Sequence, residues 1–189
     1  MPKPLLILVS GPPAAGKTTL ARRLAQEFGL PLINKDGIKE LLFDTVGTHD
    51  YAWSQNLGRA SIALLYDFTE RLLTAGVSLI AESNFHSGAD SILLAELRGR
   101  REFVPLQIHC TASADVLEER NERRRHTSER HPGHVQAPKD SLKPHIEVGV
   151  WRPLHLEGAT VIVQTNDLDA IDYDPVYRAV RDALGLPND

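Results

Sequence analysis

The chain has 189 residues, 42% of them hydrophobic and 24% charged, a balance that supplies a full apolar core and excludes gross disorder. A net charge of -4 excludes a nucleic-acid coat or a membrane-surface polycation, and the single cysteine, Cys110, excludes a disulfide framework and a cysteine-based zinc cluster. The early apolar run Leu5–Val9 is too short for a spanning helix or a signal-peptide core, so a cytoplasmic protein with no membrane partner is expected.

Short apolar runs then alternate with longer amphipathic stretches, the pattern of βαβ units on a parallel sheet. The first run, Leu5–Ser10, predicts a strand covered on both faces. It leads straight into Gly11-Pro12-Pro13-Ala14-Ala15-Gly16-Lys17-Thr18, a full match to G-x-x-x-x-G-K-[ST]. Glycines let the backbone curl so that successive N–H groups face phosphate oxygens. The helix predicted over Lys17–Phe28 adds unpaired N–H donors and the positive end of its dipole. Gly11 to Thr18, with Thr19 behind them, therefore imply a cradle for the triphosphate of ATP. In it Lys17 reaches between the β- and γ-phosphates and Thr18 offers its hydroxyl to Mg²⁺.

A second strand, Leu32–Asn34, precedes a helix over 36–43 that opens on Asp36. The carboxyl ends of neighbouring parallel strands share one crevice, so Asp36 can orient and deprotonate an attacking hydroxyl, or merely cap its helix. The periodicity predicts a long helix over Ser54–Ala75, with Leu57, Leu64, Leu65, Phe68 and Leu72 toward the core and Gly76 as its stop. Tyr51 and Trp53, and later Trp151, are candidates for an acceptor pocket or for ordinary packing. The third strand, Val77–Glu82, ends in a carboxylate that can hold Mg²⁺ through water, touch an acceptor or stand solvated, with Asn84 close behind.

A helix over 87–97 and a strand over Val104–Cys110 follow, in which Cys110 reads as a packed small hydrophobe. The next helix, over 113–125, carries Arg120, Arg123, Arg124 and Arg125 and runs into Arg130-His131-Pro132-Gly133-His134. Four prolines between 125 and 158 keep that stretch from forming one long element. It reads as a closing lid with short helices, its arginines neutralising the oxygens of a transferring phosphoryl group, or else as a solvated helix face. His126, His131 and His134 lack the cysteine or acid partners at ligand spacing that zinc requires. The last strand, Thr160–Gln164, precedes the polar turn Thr165-Asn166-Asp167, which can border the base, and a helix over 175–184.

In this order, the Gly11–Thr18 cradle, Asn34-Lys35-Asp36, Ala81-Glu82-Ser83-Asn84-Phe85 and the Arg120–His134 segment resemble the P-loop kinases grouped with polynucleotide 5′-hydroxyl kinase, chloramphenicol phosphotransferase and zeta toxin, over about residues 4–185. Splitting the chain would leave neither half a complete sheet, so a single domain over 1–189 is expected, and the resemblance implies an α/β P-loop NTPase three-layer sandwich. Its sheet would hold five parallel strands in the order 2-3-1-4-5, with a lid after strand four at about 120–150. It also implies Mg-assisted transfer of the γ-phosphoryl group of ATP to a hydroxyl. The general-base aspartate of the family falls on Asp36, and its lid arginine on Arg124, with Arg120 as the neighbouring candidate. Glu82 departs from the aspartate common in such kinases at the end of strand three. A small-molecule hydroxyl acceptor is the favoured reading, and a polynucleotide 5′-hydroxyl, disfavoured by the acidic composition, is the alternative. A third reading, a nucleotide-dependent switch acting on a partner protein, lacks a guanine-reading motif. Acceptor identity and oligomeric state are not legible at this level.

Overall fold

Residues 3–125, 131–134 and 141–187 are described by the computed structural model, and among them five parallel strands form one sheet in the order β2-β3-β1-β4-β5. The central strand, β1 (Leu5–Ser10), is buried along its whole length between β3 (Leu79–Glu82) and β4 (Val104–Thr111). β2 (Leu32–Asn34) and β5 (Ala159–Gln164) form the edges.

Strand side chains alternate between faces, and the two faces of β1 feed two separate cores. Leu5, Ile7 and Val9 pack with Leu20, Ala21 and Leu24 of α1 (Lys17–Phe28) and with Val176 and Val180 of the last helix (Asp174–Leu184). Leu6 and Leu8 pack with Leu65 and Leu73 of a long helix (Tyr51–Thr74) and with Leu94 and Leu97 of another (Ala89–Arg100). Each such leucine or isoleucine contributes about 1.5–3 kcal/mol on burial. Numbered in chain order, the helices are α1, α2 (Lys35–Val46), α3 (Tyr51–Thr74), α4 (Ala89–Arg100), α5 (Ala114–Arg125), α6 (Lys143–Glu147) and α7 (Asp174–Leu184). The three-layer arrangement and strand order agree with the expectation. None of the described helices is long and apolar enough to cross a membrane.

The inner face of α3 departs from the predicted one. Phe68 is 43% exposed, and the buried stripe runs Leu57, Ser61, Leu65, Thr69, Leu73 at a strict spacing of four. Two hydroxyl residues can occupy this stripe because each satisfies itself locally. Ser61 Oγ donates to the Leu57 carbonyl at 2.6 Å, and Thr69 Oγ1 donates to the Leu65 carbonyl at 2.7 Å. β3 also begins two residues later than predicted. The Val77 N–H bonds back to Leu72 O at 2.9 Å to close α3, and Ser78 Oγ accepts from the Leu5 N–H at 2.9 Å.

The register delivers the site. Asn34 and Val9 both stand opposite Glu82, and Ser10 stands opposite His109, so these residues meet at the carboxyl end of the sheet where β1 turns into the 11–18 loop.

Candidate active site

The loop between β1 and α1 is held in a conformation that ordinary residues resist. Gly11 has φ +132°, and a Cβ there would lie 2.1 Å from the Cys110 carbonyl oxygen, so the loop rides directly on β4. Ala14, at φ 63°, is the one non-glycine residue with positive φ among the described residues, a strain of the kind that collects at ligand sites. Gly16, also left-handed, caps α1 without a side-chain bond, which leaves first-turn N–H groups of Lys17, Thr18 and Thr19 turned toward the loop. Pro12, Ala14 and Ala15 are buried, and Pro13 is half-buried. The Lys17 ammonium folds over them and donates to the Pro12 carbonyl at 2.7 Å. Burial presses its pKa below the ordinary value, Glu82 and Asp36 pull the other way, and the Arg124 charge adds to the lowering.

On one side of Lys17, Thr18 Oγ1 donates to Glu82 Oε2 at 3.0 Å. Asn34 Nδ2 donates to the same oxygen, while Asn34 Oδ1 accepts the Gly37 N–H and so caps α2. Burial raises the Glu82 carboxyl pKa, and the opposing pull of Lys17 and the Thr18 hydroxyl does not cancel it. A hydroxyl and a carboxylate sharing one edge are hard oxygen donors of the type Mg²⁺ takes, alongside waters and phosphate oxygens. Among the described residues no group of three or more His, Cys, Asp or Glu side chains can hold a metal ion, so waters and phosphate oxygens would supply the rest of the shell of an ion at Thr18 and Glu82.

On the other side Asp36 sits in the first turn of α2 with its side chain 54% exposed, and its Oδ1 accepts from Lys35 Nζ at 2.9 Å. Partial burial works to raise its pKa, but Lys35, His134 and Lys17 together hold it down to about 2. Such a carboxylate is a weak base and a firm hydrogen-bond acceptor, suited to aiming a hydroxyl rather than storing its proton.

Arg120 and Arg124 lie one turn apart on α5 and share a face. Arg120 is clamped on the turn after β5, with Nη1 donating to Thr165 O at 2.6 Å and Nη2 to Asn166 O at 2.9 Å. The charge of Arg124 is felt instead at Lys17. The segment 131–134 docks on α2 next to Asp36. His131 Nε2 meets Asp44 Oδ1 at 3.0 Å and His134 Nε2 meets Glu40 Oε1 at 3.1 Å, and the two rings flank Phe43. His126, Arg130 and the Arg125 side chain lie outside the described residues.

Of the aromatic candidates, Trp53 is engaged in the α2–α3 turn, its Nε1 donating to Gly47 O at 3.0 Å, and Tyr51 is 40% exposed. Trp151 lines a cavity of about 280 Å³ beside Pro12, together with His109 and Arg152. Sequence reasoning missed the bridging role of Asn34, although an asparagine three residues before Gly37 is a recognisable helix cap. It also missed His109 and Arg152, which no local pattern marks. Cys110 is wholly buried, and burial pushes its thiol up to about 12, as befits a packed side chain.

Residues 6–145 match the family model AAA_33, an AAA domain. No curated protein matches the sequence. Among solved structures, an inferred kinase of Chloroflexus aurantiacus is 39% identical, with a TM-score of 0.89, 96% of this chain and 99% of that one being covered. A shikimate kinase from Acinetobacter baumannii, solved with shikimate, is 21% identical with a TM-score of 0.57, covering 96% of this chain and 93% of that one. A chain of the Pnkp1/Rnl/Hen1 RNA repair complex is 15% identical with a TM-score of 0.57, covering 78% of this chain and 44% of that one. The latter two share the fold.

Proposed function

The chain belongs to the AAA_33 family of AAA domains and has a P-loop kinase fold, and from that premise we propose that it transfers the γ-phosphoryl group of ATP to a hydroxyl of a small molecule. The observation that carries this reading is the convergence, at one sheet end, of the strained Gly11–Thr18 loop, a buried Lys17 and the ionised Asp36.

In this reading the loop N–H groups and Lys17 hold the β- and γ-phosphates. Thr18 and Glu82 would hold Mg²⁺, which supplies neutralising charge to the phosphate oxygens when bound. Asp36 accepts a hydrogen bond from the acceptor hydroxyl and aims its oxygen at phosphorus, and the displaced proton leaves to solvent or to Asp36 as the new ester forms. Arg124, whose charge reaches Lys17, neutralises the transferring group, while Arg120 on the turn at Thr165 and Asn166 borders the nucleotide base. A single-domain organisation over 1–189 and a location in the cytoplasm go with this reading.

The polynucleotide 5′-hydroxyl reading draws on the likeness to a chain of an RNA repair complex, and the net charge of -4 stands against it. ADP release is measured with a panel of hydroxyl compounds and, separately, with a 5′-hydroxyl oligonucleotide. Small-molecule-dependent release supports the proposal. Release only with the oligonucleotide replaces it with the alternative, and ATP turnover indifferent to every acceptor refutes both.

A further inference from the structure

We propose that the cavity between β4, β5 and the Ile146–Pro153 segment receives the carboxylate end of a hydroxy-acid acceptor, with Arg152 recognising the carboxylate. The acceptor role rests on the phosphotransfer reading above; the cavity and its charge stand without it.

The volume, about 280 Å³, suits a small ligand on the order of ten heavy atoms. Pro12 lines it, so it opens beside the cradle at the carbonyl that holds Lys17. His109 and Ile162 alternate with Cys110 and Val163, which pack into the α1 core. Strand alternation thus sets these two cavity residues on the sheet face away from α1, while Leu117, Ile146 and Trp151, which pack with the α1 core, close the cavity from the other side.

Charge then selects the ligand. Among the described residues Arg152 is the one charged side chain lining the cavity, and among them its side chain makes no hydrogen bond or ion pair. His109 shares a hydrogen bond with Ser10 Oγ at 3.0 Å, and burial, with Lys17 nearby, holds its pKa down to about 4, so its ring is neutral. One planar guanidinium with no acid partner among the described residues matches one carboxylate, which it can grip through two parallel N–H bonds. A phosphate monoester would bring close to two charges against this single cation. Trp151, Ile146, Ile162 and Pro153 supply apolar walls for a carbon skeleton.

Arg152 is exposed, and the turn that carries it is fixed. Gly149 has φ +76°, and a Cβ there would lie 2.3 Å from Arg152 Nε, so the side chain folds across a bare backbone. Arg152 N–H closes the turn on Gly149 O at 3.2 Å. Ser87 staples that turn to the loop after β3, its Oγ donating to Gly149 O at 3.1 Å and its N–H to Val150 O at 2.8 Å. The same loop leaves from Glu82, so arginine and metal edge are tied to one strand end.

Trp53 is the only tryptophan besides Trp151, so emission from a Trp53→Phe protein reports on the cavity. Gluconate and glycerate are titrated against sorbitol and glycerol in the presence of ATP and Mg²⁺, and ADP release is followed in the same samples. At least one acid is expected to shift the emission with a Kd below about 1 mM, and its alcohol counterpart to bind at least about tenfold more weakly. Arg152→Gln should remove that preference, Arg152→Lys should restore part of it, and KM for ATP should not change. No emission change with either acid, equal binding of acid and alcohol, or an Arg152→Gln protein with unaltered preference would each overturn the inference. Acid binding that depends on Arg152 but yields no ADP upholds the cavity and counts against phosphotransfer, whereas ADP release with no preference for acids does the opposite.

Discussion

Replacing Gly11 by alanine separates backbone strain from the close approach that shapes the cradle. The φ of +132° is unfavourable for any side chain, at a cost of about 1–2 kcal/mol. The new Cβ would also stand 2.1 Å from the Cys110 carbonyl oxygen, about an ångström inside a normal carbon–oxygen contact. β4 cannot retreat, because β1 and β5 pair with it on both sides. The loop must move instead, and a total near 3–4 kcal/mol follows, or about 6–16 °C in Tm for a chain of this size. Gly29→Ala is the control. Gly29 is also left-handed, at φ +62°, but a Cβ there meets nothing within 4 Å, so only the strain of about 1–2 kcal/mol applies. Thermal unfolding and titration with a fluorescent ATP analogue measure both effects. Gly11→Ala should lose nucleotide affinity by at least about tenfold together with the larger drop in Tm, while Gly29→Ala keeps its affinity. Equal behaviour of the two variants would refute the claim that the cradle is shaped by contact with β4.

The two arginines of α5 should separate kinetically. Arg124→Ala is expected to lower kcat by about 10²-fold or more with KM for ATP nearly unchanged, and Arg120→Ala to raise KM for ATP with a smaller effect on kcat; the reverse pattern in steady-state kinetics contradicts the assignment. Glu82→Gln removes a buried charge yet keeps an oxygen to accept from Thr18 and Asn34, so without nucleotide its unfolding should rise by about 1 kcal/mol while Mg-dependent turnover collapses. A fall in stability would show that the carboxylate is structurally required. For Asp36 the folded pKa of about 2 lies below the ordinary 3.8, so any stabilisation is present above 3.8 and lost as pH falls through 2. Its ion pair with Lys35 is half exposed and worth no more than about 1 kcal/mol, so acid unfolding of Asp36→Asn should track the parent closely.

The parts of the molecule legible in sequence are those governed by local rules. The Gly11–Thr18 spacing fixes a cradle because only glycine fits φ +132° against β4, and the apolar runs fix strands because both faces of β1 are covered. Phe68 was misplaced because periodicity alone assigns large apolar residues inward, whereas Ser61 and Thr69 back-bond to their own helix and take the buried stripe. The bridge from Thr18 through Glu82 to Asn34 depends on the β1–β3 and β2–β3 register, a long-range property that spacing does not carry. Arg152 was invisible for a related reason: its neighbours in the cavity come from residues around 12, 109 and 149, brought together only by the sheet.

Rapid-quench transfer from labelled ATP, in wild type and Asp36→Asn at saturating MgATP and acceptor, tests the central claim most directly. With the hydroxyl no longer aimed by a carboxylate, transfer should slow by about 10²–10⁴-fold while the Kd for MgATP stays within about twofold. Undiminished transfer by Asp36→Asn would show that the acceptor is oriented elsewhere.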